Sequence, residues 1–351
     1  MFMMKKQRIA VIFGGNSPEY GVSLQSAHAV ISHIDQSRYQ PVLIGIDPAG
    51  QWFHYSGPLD AIAGDTWRGG PCTPAGVSLN PKDHALLFFG EQGVERCPVD
   101  AAFPVLHGRN GEDGSVQGLF QLAGIPLVGC GVLSSALCMD KDRAHALVKA
   151  AGVEVPKSFL VAKGVAQSQA LAQAEALGYP LFVKPLRAGS SYGITQVTEA
   201  QAFPEALALA FAYDQQVIVE EAIPGFEVGC AVMGSQVLTV GEPDEIELSQ
   251  GFFNFTEKYT LKTSAIHVPA RISPELTRRV KETAQVIYRA LDCQGFARVD
   301  VFVEPSGRIV FNEVNTIPGF TAHSRYPKMM QEAGIPFSVL ITRLIQEVVG
   351  E

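Results

Sequence analysis

Long apolar runs are missing from this chain: nothing approaches the roughly 20 consecutive apolar residues that a membrane-crossing helix needs. The amino terminus, MFMMKKQRIAVIFGG, carries two lysines and a short apolar run that ends in glycines. It lacks the long apolar region and cleavage site of a secretory leader, so a first buried strand is expected there. A basic surplus is missing too. The net charge is -8, which argues against a nucleic-acid partner, since such a footprint would be basic. Cysteines are few and unpatterned: Cys72, Cys97, Cys130, Cys138, Cys230 and Cys293 form no C-x-x-C pair. That usage predicts reduced thiols in a cytoplasmic protein and no zinc site. Internal repeats, low-complexity tracts and long linkers are absent as well. What is present is 351 residues, 47% hydrophobic and 18% charged, a core-forming composition long enough for two or three domains.

The opening reads strand, glycine turn, helix: Arg8–Phe13, then Gly14-Gly15-Asn16-Ser17, then Val22–Ile34. A second strand is expected at Pro41–Ile46 and another at Ala101–Leu106. Apolar runs alternating with helical patterns predict a parallel sheet covered on both faces. The loop His107-Gly108-Arg109-Asn110-Gly111-Glu112-Asp113-Gly114 follows a strand's carboxyl end, where open α/β sheets bind ligands. One helix is predicted over Cys138–Ala151. A second unit has strands near Phe159–Val161, Pro180–Lys184, Ile194–Val197 and Val217–Glu220, with helices near Ser168–Leu177 and Ala200–Tyr213. A third has strands at Glu227–Met233, Leu238–Glu247, Phe296–Val303 and Arg308–Glu313, a loop over Leu248–Thr260, and helices at Pro274–Leu291 and Pro336–Val349.

The strongest chemistry lies in Arg298-Val299-Asp300 and Glu313-Val314-Asn315, either side of the turn Glu304-Pro305-Ser306-Gly307. Apolar alternation about such a turn predicts a β-hairpin. Residues two apart on a strand share a face, so Arg298 goes with Asp300 and Glu313 with Asn315. If the turn brings Asp300 opposite Glu313, or two residues off, all four side chains converge. Asp, Glu and Asn supply hard oxygen donors suited to Mg²⁺ held between carboxylates and phosphates. A solvated sheet face with one charge pair is the alternative, and it leaves the flanking valines unexplained.

Pro180-Leu181-Phe182-Val183-Lys184 is a buried strand ending in lysine, followed by Arg187-Ala188-Gly189-Ser190-Ser191-Tyr192-Gly193. A glycine- and serine-bearing loop can turn its backbone N–H groups onto phosphates, and the lysine adds a point charge. Alone, the same loop could be a hairpin turn. Likewise Lys141, Glu220 and Glu227, taken singly, are surface charges.

Taken together and in order, these motifs resemble the ATP-grasp superfamily, and within it the D-alanine–D-alanine ligase family. The pieces are Gly14-Gly15-Asn16-Ser17-Pro18-Glu19 with Val22-Ser23-Leu24, His107-Gly108 with Gly111-Glu112-Asp113-Gly114, and Met139-Asp140-Lys141. They continue with Lys184-Pro185, Gly189-Ser190-Ser191, Lys258-Tyr259, Arg298-Val299-Asp300, Glu313-Val314-Asn315 and Pro318-Gly319. The resemblance implies an α/β ATP-grasp fold. An amino-terminal parallel-sheet domain (1–138) would precede two α+β subdomains (139–223 and 224–351) that enclose ATP.

It also implies roles. Glu19 would hold the ammonium of the first D-amino acid, near His107, and form a triad with Ser190 and Tyr259 that pins a lid. Lys141, Lys184, Ser191 and Lys258 would meet ATP, Glu220 and the Ile223 backbone the adenine, and Glu227 the ribose. Asp300, Glu313 and Asn315 would ligate two Mg²⁺ ions, or Mn²⁺. Arg298 and the Gly319 N–H would form an oxyanion hole, and Ser324 with Lys258 would hold the second substrate's carboxylate. A homodimer is implied. Gly21 and Ala188 depart from the commoner acidic residues at their positions.

Three further positions resemble the VanG-type D-alanine–D-serine branch known from vancomycin resistance: Asp244, Phe253 and Arg325. A site built to hydrogen-bond a hydroxyl rejects the analogue lacking it, so D-serine is expected over a second D-alanine. The alternative is that Arg325 pairs with Asp244 and merely shapes the wall.

Overall fold

The computed structural model describes residues 6–189, 192–248 and 264–350. The buried run β1 (Gln7–Gly14) turns through glycines into α1 (Tyr20–His33) and returns as β2 (Tyr39–Ile46). Next come β3 (Trp52–Tyr55), a short α2 (Asp60–Ala63), β4 (Cys72–Val77), β5 (Ala85–Gly90), β6 (Gly93–Pro98) and β7 (Ala101–Pro104). They form one sheet in the order β6-β5-β4-β3-β2-β1-β7.

The expected parallel sheet is present at one end of this order and is extended by antiparallel strands. Only β2, β1 and β7 run parallel; β3 to β6 are an antiparallel meander. The reason is connection length. Parallel strands need a crossover of a dozen or more residues, whereas β5 and β6 are joined by Glu91 and Gln92 alone.

Helices α3 (Ser115–Leu122), α4 (Val132–Met139) and α5 (Lys141–Ala150) follow. The single helix expected over Cys138–Ala151 is two. Asp140 leaves the helical region (φ -91°, ψ 101°) and its side chain accepts the Arg143 N–H, capping α5. A short carboxylate satisfies an orphan helix donor best from outside the helix.

The second sheet holds β8 (Ser158–Ala162), β9 (Leu181–Pro185), β10 (Thr195–Val197) and β11 (Gln216–Glu221), in the order β10-β9-β11-β8. It is backed by α6 (Gln167–Leu177) and α7 (Phe203–Ala210). The third has β12 (Phe226–Met233), β13 (Thr239–Val240), β14 (Asp244–Leu248), β15 (Ser264–His267), β16 (Phe296–Val303) and β17 (Ile309–Asn315). The strand expected over Leu238–Glu247 breaks at Gly241-Glu242-Pro243, where proline has no ladder donor. Among the described residues, three helices complete the unit: α8 (Pro274–Ala290), α9 (Arg325–Glu332) and α10 (Phe337–Val349). No element was expected over Arg325–Glu332, and α9 carries Pro327 in its first turn. In a first turn, where N–H groups lack partners anyway, proline is tolerated.

The first and third units share a core. Phe103 packs edge-on against Phe296 and Phe320, and Phe320 in turn meets Tyr326 and Phe337. This aromatic cluster fixes the segment after β17 against β7. All six cysteines are free thiols. Among the described residues no helix is long and apolar enough to cross a membrane.

Candidate active site

Alternation along β16 sends Val299, Val301 and Val303 into the core under α8 and leaves Arg298 and Asp300 on the other face. Across the ladder Asp300 stands opposite Glu313 and Arg298 opposite Asn315, with a register shift just beyond, between Asp300 and Val301. Asp300 is 1% exposed. Arg298 grips it through Nε at 2.8 and 3.0 Å and through Nη2 at 2.6 Å, and the Asn315 amide donates to it at 2.9 Å. The Asp300 charge holds the Arg298 guanidinium above its usual range against the opposing effect of burial. Among the described residues no group of three His, Cys, Asp or Glu side chains is gathered for a metal. The donor chemistry nonetheless fits a hard divalent cation: two carboxylates face one another beside an amide. Mg²⁺ takes few protein ligands and completes its shell with phosphate and water.

A second buried charge group adjoins this one. Arg325, the first residue of α9, donates from Nε and Nη2 to both Asp244 oxygens (2.6 and 2.8 Å) and from Nη1 to Glu227 (2.8 Å). Its Nη2 also lies 3.5 Å from Asp300. A cation at a helix amino terminus opposes the helix dipole, and Asp244, fully buried, offsets it. Gly229 on β12 makes the room, for a Cβ there would sit 2.4 Å from Arg325 Nη2 and 2.6 Å from Asp244 Oδ1. The pairing of Arg325 with Asp244 weighed from sequence is therefore formed. Glu227, expected only at the ribose, also belongs to this group.

Facing the hairpin is the loop after β7. Glu112 accepts from the Gly108 N–H (2.8 Å) and the Ile317 N–H (3.0 Å), bridging the two units. Burial first, and then the Glu19 charge, push its carboxyl up to about 8. The His107 Nδ1 donates to the Ile317 carbonyl (2.8 Å), which places the proton on Nδ1 and leaves Nε2 to accept from Ser26 Oγ (3.3 Å). Ser26 Oγ also accepts the Phe320 N–H at 3.2 Å. Burial lowers the His107 pKa, consistent with that neutral tautomer. Ile317 and Phe320 are thus held on either side of Pro318-Gly319. Ser324 Oγ accepts the Thr321 N–H at 3.0 Å and would lie 3.1 Å from a Cβ on Gly319.

Glu19 sits at the start of α1, buried, where Gly108 (φ +70°) leaves space: a Cβ there would lie 2.5 Å from Glu19 Oε2. Gly189 of the glycine loop approaches the same oxygen, its notional Cβ at 3.1 Å. A cavity of about 230 Å³ lies between the glycine turn after β1 and the start of α3, lined by Gly15, Asn16, Trp52, Leu106, Asn110 and Val116 among others, and Glu19 is not part of its lining.

On the second sheet Lys184 Nζ donates to Glu220 at 2.6 Å, both buried. Burial pushes Glu220 upward, but Lys184, His145 and Lys141 outweigh it and hold the carboxyl below its usual range. Lys141 Nζ reaches the Ala188 carbonyl at 3.0 Å. Ile223 lies half-buried just past β11. Ser190, Ser191, Phe253, Lys258 and Tyr259, with the lid expected beyond Leu248, lie outside the described residues.

Sequence reasoning gave no role to Glu112, Ser26 or His145. Glu112 stood in plain view in the glycine-rich loop. Ser26 is a buried serine one turn from Ser23 on α1, and His145 is one turn from Lys141; both are visible as helical spacing.

Comparison with known proteins agrees across the chain. The family described as D-ala D-ala ligase N-terminus matches residues 8–130, and that described as D-ala D-ala ligase C-terminus matches residues 147–346. Vancomycin B-type resistance protein VanB of Enterococcus faecalis is 46% identical over 348 residues, covering 97% of this chain and 98% of its own. Vancomycin C-type resistance protein VanC1 of Enterococcus gallinarum is 44% identical over 343 residues, covering 97% of each. The crystal structure of VanG D-Ala:D-Ser ligase from Enterococcus faecalis matches with a TM-score of 0.91 at 55% identity, covering 98% of this chain and 99% of that one.

Proposed function

The chain belongs to the D-alanine–D-alanine ligase family and is an ATP-dependent ligase of D-alanine with a second D-amino acid; we propose that the second is D-serine. The observation that carries the proposal is the buried Arg325–Asp244 pair, a polar wall where an apolar one would suit a methyl side chain. Likeness to the VanG D-Ala:D-Ser ligase supports it. The product would serve peptidoglycan precursor synthesis, and the likeness to VanB and VanC1 supports a part in vancomycin resistance.

In this reading the chain has three units, 1–138, 139–223 and 224–351, and works as a homodimer. Glu19 binds the ammonium of D-alanine beside His107. Lys141 and Lys184 contact the ATP phosphates, Ser191 and Lys258 also bind ATP, Glu220 and the Ile223 backbone meet the adenine, and Glu227 the ribose. Asp300, Glu313 and Asn315 would hold two Mg²⁺ ions, or Mn²⁺, which supply charge neutralisation on the phosphates when bound. A carboxylate is a poor electrophile, so D-alanine's carboxylate first takes the γ-phosphoryl group of ATP. The acyl phosphate must be kept from water, a task for the 248–260 segment, with Ser190 and Tyr259 joining Glu19. The second substrate, its carboxylate held by Ser324 and Lys258 and its side chain near Asp244, Phe253 and Arg325, then attacks through its amine. Arg298 and the Gly319 N–H stabilise the tetrahedral oxyanion, each such donor contributing about 3–4 kcal/mol, and phosphate leaves.

The test is ADP release with D-alanine alone and with D-serine added. The proposal expects a large stimulation by D-serine. Equal rates would transfer the reading to a D-alanine–D-alanine ligase.

A further inference from the structure

We propose that His145 is a positioning residue of the nucleotide site, holding the Glu220 carboxylate in the pose that accepts adenine's 6-amino group. The inference rests on the nucleotide assignment above and deepens it. His145 is 5% exposed on α5, one turn from Lys141, so both side chains look toward the second sheet. Neither of its ring nitrogens has a hydrogen-bond partner among the described residues. Buried polar groups are nearly always partnered, so an imidazole left this way marks a place where a partner is expected. One is at hand. Nε2 lies 3.7 Å from Glu220 Oε1, too long for a hydrogen bond and short enough for a small side-chain rotation to make one.

The ring is steadied by an edge-on contact with Phe311, centroids 5.8 Å apart. The charged groups facing it are Glu220, Lys184, Lys141 and Asp142. Burial first, and the two lysines after it, lower its pKa against the pull of Glu220. The imidazole is therefore neutral and has one N–H to give.

Charge balance says when it is needed. At present Lys184 satisfies Glu220 Oε2 at 2.6 Å. Phosphates bound at Lys184 draw that ammonium away and leave a buried carboxylate short of donors. Two replacements are then within the site: the adenine amino group on one oxygen and the His145 N–H on the other. A carboxylate pinned in this way also excludes a base whose 6-position is a carbonyl, since two acceptors would meet.

The experiment compares kcat/KM for ATP and for ITP, which carries a carbonyl at that position, in the wild type and in His145→Phe, His145→Met and His145→Gln. Phe and Met keep the apolar contact and lose the N–H, while Gln restores a donor. The expected result is a fall in the ATP-over-ITP ratio of about 10-fold in Phe and Met, through KM for ATP with kcat nearly unchanged, and recovery in Gln. The ratio is read on whichever apolar variant keeps the wild-type melting temperature. A packing defect would depress both nucleotides alike and leave the ratio where it was. A wild type selective for ATP, with Phe or Met variants equally selective, overturns the role of His145 alone. A wild type without ATP turnover overturns the nucleotide assignment, and this role with it.

Discussion

Asp300 and Glu313 are direct cross-strand neighbours, set there by the register of a hairpin whose other face is valine core. Two carboxylates so placed repel unless a cation lies between or beside them. Arg298 supplies one such charge to Asp300. Glu313→Ala should therefore reduce ligation to background while the melting temperature moves little, since Glu313 is only half-buried. Steady-state rates at saturating Mg²⁺ check this, and near-normal turnover would remove Glu313 from the metal site.

Arg325→Leu leaves Asp244 buried without its guanidinium. Removing one partner of a buried ion pair costs about 3–5 kcal/mol, so urea unfolding should show a loss of that order. In the same variant, the D-serine to D-alanine preference should swing toward D-alanine. An unchanged preference would confine Arg325 to holding the wall together.

Gly229→Ala puts a methyl group 2.4 Å from Arg325 Nη2. Overpacking of this kind costs about 1–3 kcal/mol, and the pair must shift to admit it. The expected outcome is a modest stability loss with an altered acceptor preference. A variant of wild-type stability and preference would show that the pair has room to spare.

Glu112 gives a pH signature. Burial and Glu19 raise it to about 8, above the roughly 4.3 of an unfolded glutamate, so the native state holds this proton more tightly. The corresponding stability is complete below about pH 4 and is lost as pH rises toward 8. Glu112→Gln cannot titrate, so its melting temperature should fall less steeply between pH 5 and 8 than the wild type's. Parallel slopes would show that Glu112 does not carry the proton.

The hairpin was legible because strand period, turn residues and ligand chemistry all fall within Arg298–Asn315. The first sheet was half legible. The apolar runs of β1, β2 and β7 declare themselves, whereas β3 to β6 mix exposed and buried positions and carry no clean alternation. The split at Asp140 was hidden because an acidic residue in the first turn of a helix expected to start at Cys138 is favoured by the helix dipole and marks no break. Contacts between distant segments had no local signal at all. Nothing in the sequence brings Glu112 to the Ile317 N–H or Arg325 to Glu227, since those meetings depend on how the aromatic core around Phe103, Phe296 and Phe320 joins two units. The residues given roles by resemblance were legible as types, not as networks.

The most direct test is a mass spectrum of the products formed from ATP, D-serine and D-alanine labelled with ¹⁸O in its carboxylate. The account predicts a mixed D-alanyl-D-serine dipeptide as the main product, with one ¹⁸O carried into the released phosphate. Phosphate free of label, or a dipeptide of D-alanine alone, would contradict it.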